Sequence, residues 1–140
     1  MRLTELVKIA GGALLLFMMY MAMTGQVDYF QTTDPVLRKI RDQLAVIHPR
    51  FENVHLNEGD KSYTINKKKV FICTKDKNGR YYNRNMLVYV TLHEYSHMLC
   101  DEIDHTPKFY DIFDDLLKRA ADLGLYNPSV LPLENYCGHD

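Results

Sequence analysis

The stretch His93-Glu94-Tyr95-Ser96-His97 leaves its part of the chain little structural freedom if its side chains are to act together. On an α-helix each residue advances about 100°, so side chains four apart leave nearly the same face, one turn apart. The two imidazoles can then share one small cation. Glu94, on the neighbouring stripe, reaches a water held by that cation rather than the cation itself. An H-E-x-x-H helix is therefore the arrangement of a zinc peptidase: two ligands plus a general base. The plainer alternative is a buried helix that carries two histidines and a glutamate by chance. The surrounding run, RNMLVYVTLHEYSHMLC over 84–100, argues against it. Met86, Val90, His93 and His97 fall on one side, broadened by Leu87, Glu94 and Leu99, so the polar groups are expected on an inward stripe. Buried groups of that kind need partners, and a metal ion supplies one.

A catalytic zinc takes three protein ligands and one water. Downstream of His97 the possible donors are Asp101, Glu102, Asp104, His105 and Glu134. His105 is the best placed of them. Thr106-Pro107 reads as an N-cap followed by proline at the first helical position. Phe109, Ile112, Phe113, Leu116, Leu117, Ala120 and Leu123 then recur at helical spacing, and Gly124 supplies the stop. His105 is thus pinned ahead of a second helix, after a seven-residue link, Met98 to Asp104, in which the chain can reverse. The rival third ligand is Asp104 or Asp101; the plain alternative is an exposed histidine near a helix start.

At this point the residues resemble a known group. HEYSH, a seven-residue link, then HTPKF and an amphipathic helix are similar to the WLM and SprT-like zinc metallopeptidases, in which a third histidine precedes a second helix in an H-x-x-x-F context. His105 and Phe109 match that context. The resemblance covers about residues 60–126, and in size the chain resembles the short single-domain versions of large DNA viruses. It implies a compact, zincin-like (minimal gluzincin) α+β domain with a small antiparallel sheet packed on helices. It implies one Zn²⁺ per chain on His93, His97 and His105, and Glu94 as the base that activates the zinc-bound water. Asp101 or Asp104 would fix ligand tautomers, and Tyr110, one turn into the second helix, is a candidate for a hydrogen bond to the oxyanion. A protein or peptide substrate would lie along a sheet edge, for which Lys69 to Thr74 is the candidate.

Ahead of this domain lies a run without a charge, residues 9–27, between Lys8 and Asp28. As a helix it spans about 28 Å, close to the ~30 Å hydrocarbon core of a bilayer. It is apolar on all sides, which disfavours a half-exposed core helix, and Ala22-Met23-Thr24 is a poor signal-peptidase site. Residues 1–27 are therefore read as a membrane anchor, with a cleaved signal peptide as the alternative, and 28–140 as the metallopeptidase domain. A single-pass chain follows; Arg2 and Lys8 favour a cytoplasmic N-terminus, while Arg38, Lys39 and Arg41 oppose it. Nothing in the sequence specifies an oligomer.

Within the domain, Asp34-Pro35 opens a helix bearing Val36, Leu37, Ile40, Leu44 and Ile47, with Pro49 ending it. Phe51 to Leu56 and Ser62 to Ile65 read as short strands, with 57–60 as loop. Lys69 to Lys75 is the best strand, and Asn78-Gly79 is a hairpin signal returning through Arg80 to Asn83. Leu125 to Leu133 is expected to cover the second helix.

Charge is balanced at a formal −1 but divided along the chain: Lys61 to Arg84 carries eight basic residues against Asp76, and Asp101 onward carries nine acids against three basic residues. A lysine-rich turn usually keeps a sheet edge soluble. Attraction to phosphates of nucleic acid or lipid is the functional alternative, although the net charge gives no general support for DNA binding. Cys73 and Cys100 are expected as packed thiols. Cys137 or His139, near the end, could close the zinc site as a fourth ligand, which would make a non-enzymatic, zinc-stabilised, membrane-anchored domain. A third reading, by family analogy alone, is a DNA-associated protease of protein adducts using Lys67, Lys68 and Lys69.

Overall fold

The computed structural model describes residues 2–29 and 34–138. The chain divides into two units, Met1–Gln31 and Thr32–Asp140. The first is a single helix, α1 (Leu3–Tyr29), whose Leu3–Ala22 window has a mean hydropathy of 1.6. At 1.5 Å per residue those twenty residues cover about 30 Å, enough by length and composition to cross a bilayer.

The second unit is a mixed α+β domain. Asp34 caps α2 (Pro35–Leu44), accepting from the backbone N–H groups of Val36 and Leu37 at 2.9 and 3.0 Å. The helix ends at Leu44, ahead of Pro49, which instead opens a short 3₁₀ turn, Pro49–Asn53. The strand expected from Phe51 therefore starts later, as β1 (His55–Glu58), and takes in Asn57 and Glu58 of the expected loop. Next come β2 (Tyr63–Ile65) and β3 (Lys69–Ile72).

The sheet order is β1-β3-β2. β3 runs parallel to β1, with Leu56 opposite Val70, and antiparallel to β2, with Thr64 opposite Val70. Two expectations are corrected here. The sheet is mixed rather than antiparallel, and Lys69 to Thr74 is not an edge: β3 is central, because Val70 and Ile72 are both fully buried and need cover from each side. A further hairpin, not expected from the sequence, joins β2 to β3. Asn66 and Lys67 have φ of 52° and 54°, and Lys68 N–H donates to Ile65 C=O, a two-residue turn whose twist matches its strands. Asn78-Gly79 forms the expected turn, gathered by Asp76, which accepts from the N–H groups of Asn78 and Arg80. The chain returns antiparallel through a short pairing, with Asp76 N–H donating to Arg80 C=O, Tyr82 N–H to Thr74 C=O and a bridge at Lys75–Tyr81.

α3 (Arg84–Leu99), capped by Asn83, lies against β2 and β3, and α4 (Pro107–Asp122), capped by Thr106, packs on α3. α3 is buried around most of its circumference, not on one stripe: Leu87, Val88, Leu92 and Tyr95 are all at most 1% exposed. Its buried hydroxyls, Thr91 and Ser96, donate back to the carbonyls of Leu87 and Leu92, each at 2.7 Å. The segment after α4 covers α3 more than α4. Asn127 exchanges hydrogen bonds with Asn85, and Tyr126 stacks on Tyr89.

Candidate metal centre

The helical spacing of His93 and His97 sends both rings off α3 toward the start of α4. The chain between them and His105 reverses through Asp104, whose φ of 71° is a left-handed conformation that Asp tolerates better than most residues. His105 returns directly ahead of the Thr106 cap. Its Nε2 lies 3.1 Å from Nε2 of His93 and 3.2 Å from Nε2 of His97. Zinc–nitrogen bonds of 2.0–2.1 Å at tetrahedral angles put ligand nitrogens about 3.3 Å apart. The three imidazoles thus already stand at the spacing a shared ion requires, and nitrogen donors suit zinc.

The floor under them is Phe109. Its ring lies 5.0, 4.4 and 4.8 Å from those of His93, His97 and His105, and it is fully buried. Burial pushes the His93 pKa down to about 4, with His97 and His105 adding to the shift. Burial likewise lowers His97, reinforced by His105 and opposed by Asp104. Both rings are therefore neutral at neutral pH, the state in which an imidazole binds a metal.

Glu94 is 6% exposed, and its burial raises its pKa. The opposing influence is Thr64, whose Oγ1 donates to Glu94 Oε2 at 2.7 Å and lies 3.2 Å from the Glu94 carbonyl oxygen. Thr64 was not among the candidates read from the sequence. A signal for it existed, since alternation along β2 turns Ser62 and Thr64 inward while Tyr63 and Ile65 stay exposed.

The other predicted residues are placed as follows. Asp101 pairs with Lys108 at 2.6 Å on the surface, so its carboxylate braces the start of α4 and not an imidazole. Asp104 acts on His97 through its charge. Tyr110 is half exposed, with its ring 6.2 Å from that of His105. Glu134 and Glu102 do not join the histidine group. Cys73 is no free thiol: it is bridged to Cys137, which corrects both the packed-thiol reading and the idea of Cys137 as a fourth ligand. Their Cα atoms are 6.4 Å apart, within disulfide range. Cys100 is free and buried, as expected. His139 lies outside the described residues. Lys67 donates from Nζ to the Cys100 carbonyl at 2.7 Å, tying the β2–β3 turn to the end of α3.

A cleft of about 630 Å³ runs between β2 and the histidines, lined by Tyr63, Thr64, Glu94 and Ile103 among others. β2 is the edge of the sheet that borders it, and among the described residues no further strand pairs with it.

No family model matches the chain. It is similar to protein 136R of Invertebrate iridescent virus 6, 52% identical over 105 residues, covering 71% of this chain and 59% of the relative. It is also similar to protein 042R of Invertebrate iridescent virus 3, 43% identical over 62% of this chain and 55% of the relative. A third relative, protein R325 of Acanthamoeba polyphaga mimivirus, is 40% identical over 55% of this chain and 41% of its own length. The chain thus spans about half the length of the relatives it matches. Among solved structures its fold is similar to that of a Wss1 mutant from Saccharomyces cerevisiae, with a TM-score of 0.55 at 18% identity, over 69% of this chain and 95% of that one.

Proposed function

We propose that the second unit is a zinc-dependent endopeptidase and that α1 holds it at a membrane. The observation that carries the first part is the convergence of three imidazole nitrogens beside a buried glutamate, in a cleft bordered by a free sheet edge. The likeness to Wss1 supports a WLM-like fold, in agreement with the HEYSH and HTPKF motifs. His93, His97 and His105 would hold the ion through Nε2. When bound, zinc supplies a Lewis acid that makes water nucleophilic near neutral pH and polarises the peptide carbonyl.

The remaining steps belong to the protein. A peptide pairs along β2 in extended form, its carbonyl presented to the histidines. Glu94 accepts the proton of the attacking water and returns it to the departing amine. The Thr64 hydroxyl holds Oε2 and leaves the other carboxylate oxygen free for that exchange. Tyr110, whose ring lies 6.2 Å from that of His105, would be the donor to the oxyanion. Among the described residues the histidine group has three members and the Cys137 thiol is consumed in a bridge, which favours an open fourth position over a closed structural site.

Full-length protein in detergent should bind about one zinc per chain and cleave casein. Glu94→Gln should retain the metal while losing about 10²–10⁴ in rate. Undiminished hydrolysis by that variant would sink the mechanism.

A further inference from the structure

A second hollow, of about 220 Å³, opens against His93 and Glu94. Met86, Tyr89 and Val90 of α3 line it together with Ser62 and Tyr136. Glu94 and His93 stand on the side shared with the histidine group, and the rest of the lining, Ser62, Met86, Tyr89, Val90 and Tyr136, is apolar or hydroxylic. An apolar cavity of about 150 Å³ takes a benzene ring, so this one has room for a side chain of Leu, Met or Phe size. It lies beside the group that moves the proton, where the residue flanking a cleaved bond must sit.

Tyr136 comes from far along the chain, 74 residues after Ser62, and it is held unusually well. Its hydroxyl lies 2.8 Å from Ser62 Oγ and donates to the Cys73 carbonyl. Ser62 Oγ in turn accepts from the Cys73 N–H at 3.0 Å. The next residue, Cys137, is bridged to Cys73, and its N–H donates to the Tyr82 hydroxyl at 2.8 Å. The Tyr82 ring packs on that of Tyr136 at 4.9 Å. The segment leading to it is much less secured, with Val130, Leu131 and Leu133 all more than 40% exposed. The fastening is thus concentrated at the one side chain that faces the hollow.

We propose that Tyr136 is a specificity-determining residue, and that the Cys73–Cys137 bridge holds its ring as the wall of a pocket for one Leu-, Met- or Phe-sized side chain of the bound peptide. This rests on the endopeptidase reading for the ligand being a peptide. Loss of the bridge leaves the Tyr136 hydrogen bonds but frees the end of the segment, so the wall is held less closely and selectivity falls.

The test uses full-length, zinc-loaded protein in detergent and two readouts. The first is anisotropy on the Glu94→Gln background, with fluorescein-labelled Gly-Ser octapeptides through which a single Leu, Phe, Ala or Asp is stepped. The second is mapping of the bonds cut by the active chain in a casein digest. Leu and Phe should bind about tenfold more tightly than Ala at one position, and the same residue types should be enriched at one position beside the cut. Tyr136→Ala should reduce both preferences to less than about threefold, Tyr136→Phe should retain most of them, and Cys73→Ser/Cys137→Ser should fall between. Zinc content reports whether each variant is folded; should Tyr136→Ala lose its zinc, Tyr136→Leu takes its place. An unchanged preference in the Ala or Leu variant overturns the proposal. Cleavage with no preference overturns it while leaving the endopeptidase reading intact. Preferential binding without cleavage by the wild type removes that reading and leaves the pocket.

Discussion

Thr64 shows how much one hydroxyl can decide at the residue scale. Burial raises the Glu94 pKa, and the bond from Thr64 Oγ1 opposes that shift by favouring the carboxylate. A general base works only when deprotonated. Thr64→Val, which removes the donor and keeps the shape, should therefore raise the Glu94 pKa further and move the acidic limb of kcat/KM to higher pH. The rate near neutral pH should fall about tenfold, since the base is held less firmly. A pH–rate profile on the zinc-loaded protein checks this, and a limb that stays put or moves to lower pH refutes the role. The histidine group is legible in the residues: a four-residue spacing and a Thr-Pro cap suffice to expect His93, His97 and His105 together, and they do converge. Thr64 was legible only as an inward position on a strand, because its partner lies thirty residues away.

At the scale of elements, α4 does more than carry a histidine at its start. Its first turn puts Phe109 beneath all three imidazoles, so the ring that closes the core also sets their spacing. Phe109→Ala should cost about 3–5 kcal/mol of stability, measured by chemical denaturation. It should also weaken zinc affinity, although no ligand is altered. Unchanged affinity in a folded variant would show that the imidazoles are positioned from elsewhere. The sheet is where element-level expectation failed. Val70, Phe71 and Ile72 mark β3 as the best strand but not its place in the order. A short apolar run reads alike at the centre and at an edge; cover on both faces and both sides is a tertiary property. The turn at Asn66-Lys67 carries no signature in the sequence because Lys is not a turn residue, although here Lys67 adopts φ 54° with its ammonium bound to the Cys100 carbonyl.

For the whole molecule, the Cys73–Cys137 bridge closes a separation of 64 residues. Chain-entropy arguments assign such a loop about 4 kcal/mol. Cys73→Ser/Cys137→Ser should lower the denaturation midpoint accordingly, and an unchanged midpoint would mean that the bridge does not form in solution. Disulfides persist in oxidising compartments, so non-reducing gels of the chain from cells should show Cys73 and Cys137 joined if the second unit meets such a compartment. If α1 is a retained anchor, alkaline carbonate should leave the chain in the membrane pellet. Release into the supernatant would remove the anchor reading, and a mass short by residues 1–27 would identify a removed signal.

The sequence alone determined the convergence of the three histidines, the helices capped by Asp34 and Thr106, and the apolar length of α1. Each of these depends on spacings of a few residues, which local backbone geometry translates directly into position. The tertiary structure alone decided the sheet order, the pairing of Cys73 with Cys137, the bond from Thr64 to Glu94 and the placing of Tyr136 beside the histidines. The last three join positions thirty to seventy-four residues apart. Which of many such pairs meet is set by how the whole core packs, and no local pattern records it.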